Sequence, residues 1–248
     1  MFRAKSLGEI NFFVLSELEA IHGLVHAFTT RQTDFSEKDA RSVSEVAWRK
    51  DVFLQAAGIA PSSVILLKQI HSDRVVTVGT GAVGIPGERE RADGILLAEP
   101  GRFAVIKTAD CLPLLMIYPK GRKVCALHAG WRGTRERIAR KGARLLLEET
   151  GARPDEILVA LGPCIRRCCY EVGPEVIAQF RDAGHDLDRI LTGRRLDLVE
   201  ANRAQLEELG VTQVFDSGMC TACRTDLFYS YRREGPTGRM WALAGFKE

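Results

Sequence analysis

Three short apolar runs in succession, FAVIKT (103–108), CLPLLMIY (111–118) and KVCALH (123–128), constrain this chain more than any other feature. Each is too short for a buried helix and is bounded by turn-forming residues, so each reads as a β-strand. They are apolar nearly throughout instead of alternating with polar residues.

The flanking sequence adds helices and further strands. TRERIARKGARLLLEETG switches to helical spacing, with Ile138, Leu145 and Leu146 on one face and Gly151 as its stop. EILVALGP reads as a buried strand, GPEVIAQFRDAG as a helix from Pro174 to Gly184, and VTQVFDSG as a strand. DLVEANRAQLEELG is a helix with Asp197 and Glu200 at capping-box spacing and Gly210 after its last leucine. Upstream, PSSVILLKQIHSDRVVTVGT reads as two strands, Val64 to Gln69 and Arg74 to Val78, with His71 in the turn between them. The later part of residues 30–50 reads as a helix carrying Val43, Val46 and Ala47 toward the core, and GAVGIPGERERADG as an exposed loop. With no fixed-period repeat, the expectation is one α/β domain over residues 1–248, with mixed, hairpin-containing β-sheet layers flanked by helices.

Composition closes off several functions. The 35 basic and 32 acidic residues give a net charge of +3 with no basic stripe, so nucleic acid is not an expected partner. Lys5, Glu9, Glu17 and Glu19 interrupt the first twenty residues, which argues against a signal peptide or membrane span. Seven irregularly placed cysteines suit a reducing, cytoplasmic setting better than a disulfide framework.

Pro119-Lys120-Gly121-Arg122 is a turn signal that folds CLPLLMIY back onto KVCALH. With Pro119 and Lys120 as a two-residue loop, Cys111 falls opposite His128, at a Cβ separation of roughly 4.5–5.5 Å. A slip of one residue would turn one of them to the other face. Cys125 points to the opposite face from His128 and reads as a small core residue. A lone cysteine and a lone histidine in apolar strands are more often core than ligands. Here Asp110 stands beside Cys111, and His128 opens into Ala-Gly-Trp-Arg-Gly, where glycines allow close backbone approach and Arg132 with a helix N-terminus favours an anion. With His71 as a third member, two imidazoles and a thiolate form a set suited to Zn²⁺ with one open position.

The remaining candidates read as structural. Cys220 and Cys223 form a CxxC, but no second CxxC or HxxxH completes a structural zinc site, so the redox and zinc readings rank below the structural one. Cys164, Cys168 and Cys169 read as structural or pocket-lining, because adjacent cysteines are poor joint ligands. His22 and His26 stand four apart, but the glycine between them disfavours a shared helix face.

LLKQIHSDRV, ADGILL, TADCLPLLM, ALHAGWRG, LGPCIRRCCYEVG and CTACRTDLFYSYRREGPTGR, in order from about residue 64 to 246, together resemble the YfiH/laccase-domain family, also called polyphenol oxidase or peptidoglycan editing factor proteins. The resemblance implies an α/β fold shared with bacterial deamidating toxins and a zinc site of His71, Cys111 and His128. It implies phosphorolysis of adenosine, inosine, guanosine or methylthioadenosine to base and ribose 1-phosphate, with adenosine deamination as a second reaction. The substrates would be a small purine nucleoside and phosphate. The chain departs from the family's GGVS and SLN stretches after HAFTTR but keeps Arg31, which with Arg132 is expected to hold phosphate, while Asp110 orients a ligand or shuttles a proton.

The H-x-E and P-C-x-x-C signature of dedicated base deaminases is missing, since Ser72 and Asp73 follow His71. Three rivals stand beside this reading: a metal-free cysteine hydrolase or deamidase using Cys111 as nucleophile and His128 as base; copper-dependent phenol oxidation, which needs more histidines than the five here; and a non-enzymatic peptidoglycan-editing partner protein.

Overall fold

The computed structural model describes residues 1–7, 10–32, 43–79 and 90–248, with 43–49 by backbone alone. Two six-stranded mixed sheets lie face to face. The first holds, in spatial order, β1 (Phe2–Leu7), β2 (Ile10–Leu15), β3 (Leu24–Thr29), β14 (Met240–Phe246), β7 (Phe103–Thr108) and β4 (Val64–Ile65). The second holds β13 (Gln213–Asp216), β10 (Leu158–Leu161), β8 (Leu112–Tyr118), β9 (Lys123–Ala129), β6 (Gly94–Leu97) and β5 (Val75–Val78). A small hairpin, β11 (Leu191–Thr192) and β12 (Arg195–Leu196), stands apart.

The apolar runs are explained by what covers each face. On β8, Leu115 and Ile117 face the first sheet, where Ile65, Ile106 and Ala242 meet them. Leu112, Leu114 and Met116 face the other way, onto α4 (Ile138–Thr150) and α7 (Leu198–Glu207), through Ile138, Leu146 and Leu198. The far side of the first sheet is covered by α2 (Val43–Ala57), whose Phe53 and Leu54 pack on Val105, Trp241 and Leu243. The result is helix, sheet, sheet, helix. The expected orientations of Val43, Val46 and Ala47, and most of the loop expected at 81–94, lie outside the described side chains and residues.

Helix boundaries follow their expected signals. Gly151 ends α4 at φ 62°, and Pro174 opens α5 (Pro174–Asp182). Asp197 caps α7 by accepting from the Glu200 backbone N–H at 3.0 Å. The reciprocal half of the capping box is absent, because the Glu200 carboxylate pairs with Arg189 instead. His26 lies on β3, buried, and accepts the Leu15 N–H at Nε2, so it shares no helix face with His22. Among the described residues no helix is long and apolar enough to cross a membrane.

Two expectations need correction. The β8–β9 turn takes four residues, so Tyr118 pairs with Lys123 and Pro113, not Cys111, opposes His128. A two-residue turn of the favoured hairpin type requires positive φ at its first residue, which the proline ring of Pro119 forbids. The chain instead closes with Arg122 N–H bonded to Pro119 O and Arg122 at φ 52°. The register moves by two residues, which preserves the side-chain face, so Cys111 remains on the His128 side as its diagonal neighbour. The expected strand Val64–Gln69 is a strand only at Val64–Ile65, with an isolated bridge from Lys68 to Arg91, and β4 and β5 lie in different sheets. The intervening segment crosses from one sheet to the other, with His71 on the crossing.

Candidate active site

Three segments converge where the two sheets meet. His128 sits near the end of β9, Cys111 directly precedes β8, and His71 comes from the crossing. Their ligand atoms all lie within 4.8 Å of one another, and the imidazoles stand edge to face with centroids 4.9 Å apart. His71 and Asp110 hold positive φ, 61° and 90°. Non-glycine residues pay about 1–3 kcal/mol for such backbone, which persists only where surroundings enforce it.

For His71 the enforcing residue is Asp93, which the sequence alone does not single out. It is fully buried at the entry to β6. Its carboxylate accepts from the backbone N–H groups of Ile70 (3.2 Å), His71 (3.0 Å) and Ser72 (2.7 Å) and from the Ser72 hydroxyl (2.7 Å). It also bonds His128 Nδ1 at 2.8 Å. One carboxylate thus fixes the loop of one ligand and the ring of another. Gly130 allows the close packing: a Cβ there would stand 2.9 Å from Cys111 Sγ and 3.1 Å from the His71 ring.

Asp93 and His128 are buried, Cys111 is partly buried and His71 is exposed, so burial and neighbouring charge compete in this cluster. Burial raises the Asp93 carboxyl, but hydrogen bonds from His128 and Ser72 outweigh it and bring it down to about 2. Burial also raises the Cys111 thiol, yet the two imidazoles pull it down to about 6. For His128, burial opposes the charged ring, and the Cys111 thiolate and Asp93 carboxylate overcome it, raising the ring to about 9. A thiolate and two imidazoles, one with Nδ1 anchored to a carboxylate and Nε2 left as donor, fit the ligand chemistry of zinc with a position to spare. Cys125, on the opposite face of β9, is a buried thiol pushed up to about 12, as suits a core residue.

The trio opens into a cavity of about 840 Å³, within the size range of small-molecule sites. Its wall carries Lys107, Arg232, Arg239, Tyr170 and Trp241. None of these was singled out from the sequence, although Arg232 and Arg239 lie within the SYRREGPTGR block. The Arg232 guanidinium lies 5.1 Å from the Tyr170 ring centroid. Asp110 also lines the cavity, but both its oxygens are engaged, one by the Thr221 hydroxyl (2.6 Å) and one by the Arg232 backbone N–H (2.7 Å). Arg31 lies in a separate depression with Cys223 and Arg233, paired with Glu234 at 3.0 Å. Arg132 is exposed and stacks on Trp131 at 4.4 Å.

The cysteines regroup as well. Cys164 is buried and structural, as expected. Cys168, Cys169, Cys220 and Cys223 do not stay apart: their sulfurs all lie within 4.8 Å of one another. The expectation that adjacent cysteines diverge holds for a strand, where neighbours alternate. Residues 166–170 form a tight turn, with Cys169 and Tyr170 N–H groups both bonded to Arg166 O, and a helix-like turn fans successive side chains by about 100°.

The chain is similar to several known proteins. A purine nucleoside phosphorylase of Deinococcus radiodurans is 41% identical over 237 residues, covering 89% of this chain and 88% of that protein. Adenosine deaminase RL5, from an unknown prokaryotic organism, is 32% identical over 191 residues, 72% of each chain. The crystal structure of YlmD from Geobacillus stearothermophilus superposes with a TM-score of 0.85 at 28% identity, covering 100% of this chain and 99% of that one. The sequence model of the family described as multi-copper polyphenol oxidoreductase laccase matches residues 25–247, and this chain belongs to that family.

Proposed function

We propose that this protein is a zinc-dependent purine nucleoside phosphorylase, with adenosine deamination as a second activity. The observation that carries the reading is the convergence of His71, Cys111 and His128 on a cavity whose wall combines aromatic and cationic side chains. Relatives named purine nucleoside phosphorylase and adenosine deaminase support the same chemistry. Zinc, when held by the trio, supplies a Lewis acid at the cavity floor.

The chain's own groups divide the remaining work. Tyr170 offers flat apolar surface for a purine ring. Arg232 and Arg239, with Lys107, hold phosphate against the anomeric carbon; a phosphate oxygen then bonds that carbon as the glycosidic bond breaks and its electron pair leaves with the base. In this reading Arg232 and Arg239 take the part first expected of Arg31 and Arg132, with Arg132 adding positive potential near Tyr170. Asp110 acts as a positioning residue, fixing the Arg232 backbone. Asp93 holds the His128 ring. Seven free thiols suit a reducing cytoplasmic compartment.

One observation favours a second reading: the lowered Cys111 thiol beside His128 is also the pair a metal-free cysteine hydrolase would use. Incubation of adenosine and inosine with and without phosphate, followed by chromatography, separates the two. Phosphate-dependent release of base that His71→Ala abolishes and zinc restores only to the parent protein supports phosphorolysis. Turnover unchanged by chelation and by His71→Ala overturns it.

A further inference from the structure

The four-cysteine cluster stands apart from the trio and from its proposed chemistry. The Cys223 sulfur lies 3.6 Å from that of Cys168 and 3.4 Å from that of Cys169. All four sulfurs fit within a 4.8 Å span. Zinc in a tetrahedral four-thiolate site has Zn–S bonds of about 2.3 Å, so its sulfurs stand about 3.8 Å apart. The observed cluster is therefore the size of such a shell.

The backbone delivers the thiols in two pairs. One pair is the turn at 166–170. The other is the CxxC turn closed by the Arg224 N–H bonding Cys220 O at 3.0 Å, and the two are joined by a bridge between Cys164 and Cys220. Cys220 is buried, while Cys168 and Cys223 are exposed, which leaves a path by which an ion can enter. Binding one Zn²⁺ exchanges four thiol protons, released to solvent, for four Zn–S bonds, with no change of oxidation state. The resulting net charge of −2 calls for nearby cations. Arg233 reaches the Cys169 sulfur at 3.8 Å and is steadied by Ala222 O at 2.9 Å.

We propose that Cys168, Cys169, Cys220 and Cys223 bind one zinc ion as a closed structural centre, clamping the turn that carries Tyr170 to the segment 220–232, which runs from the CxxC turn into the short helix carrying Tyr231 and Arg232. Both segments wall the cavity. With four protein ligands the centre has no open position and takes no part in chemistry. Its effect is to hold the Arg232–Tyr170 contact and, through Thr221, the Asp110 clamp.

The test uses the full chain with His71→Ala, which disables the trio, so that its outcome is independent of the function proposed above. After reconstitution with zinc chloride under reducing, oxygen-free conditions and desalting, elemental analysis is expected to find one zinc per chain. A mercurial thiol reagent releases that zinc in step with four sulfurs. Adding Cys168→Ser and Cys223→Ser removes it; if that variant does not fold, cobalt(II) in the His71→Ala protein is expected to give intense sulfur-to-metal charge-transfer absorption. Zinc should slow hydrogen exchange in residues 166–170 and 220–232 together. No retained zinc, protection of only one segment, or freshly isolated protein lighter by the four hydrogens of two disulfides would each overturn the proposal.

Discussion

At the scale of single residues, the site depends on groups that touch no substrate. Asp93 fixes the His128 tautomer and caps the backbone of the His71 loop at once. Loss of a carboxylate behind a ligating histidine typically costs 10–100-fold in metal affinity. Asp93→Asn is expected to weaken zinc binding at the trio by that factor, measured by competition with a chromophoric chelator; unchanged affinity would mean His128 is not oriented through this bond. Gly130→Ala places a methyl 2.9 Å from Cys111 Sγ, so it should lower zinc affinity at least tenfold while changing the far-ultraviolet circular dichroism little. In chelated protein, Cys111 should alkylate with a midpoint near pH 6, where its thiolate form appears, and zinc should suppress the reaction. Cys111 and His128 were legible in the sequence because they flank a hairpin. Asp93 was not, because its work is hydrogen bonding to a distant backbone, which leaves no periodic or spacing signal.

At the scale of elements, the sequence specified the strands better than their pairing. CLPLLMIY and KVCALH are strands, and the turn between them lies where Pro119 and Gly121 suggest. The register was misjudged by two because turn length depends on which backbone angles Pro119 tolerates, yet even parity kept Cys111 and His128 on one face. β3 carries a testable consequence of its own. His26 accepts the Leu15 N–H in a dry corner, and burial holds its ring down to about 4, with Glu19 raising and Lys5 lowering it more weakly. Its folded value lies below the unfolded one, so between about pH 6.5 and 4 the unfolded chain binds a proton that the folded chain refuses. Stability from this residue is complete above pH 6.5 and declines as pH falls through that window, by about 3 kcal/mol. His26→Gln keeps an acceptor for Leu15 without the titration. Urea unfolding at pH 7 and pH 4.5 should show a smaller acid loss in the variant; equal losses would place the acid sensitivity elsewhere.

For the whole molecule, the site joins the two sheets. His71 lies on the segment crossing from the first sheet to the second, while His128 and Cys111 belong to the second, and Arg239 and Trp241 come from the C-terminal strand of the first and its approach. That is why the cavity's cations escaped sequence reasoning: Lys107, Arg232 and Arg239 are brought together by sheet order, whereas Arg31 and Arg132 stood beside recognisable motifs. A site assembled from both sheets exists only in the folded chain, so an ion bound there stabilises the whole fold by mass action. Free zinc at one hundred times its Kd is worth about 2.7 kcal/mol per site. Chelator-treated protein should therefore gain about that amount for the trio when zinc is restored, read as a shift in the urea midpoint. His71→Ala should lose this increment and keep any that arises from the four-cysteine cluster, since sites without shared ligands contribute additively. An equal zinc-induced shift in parent and variant would show that the two sheets are not tied together through the trio.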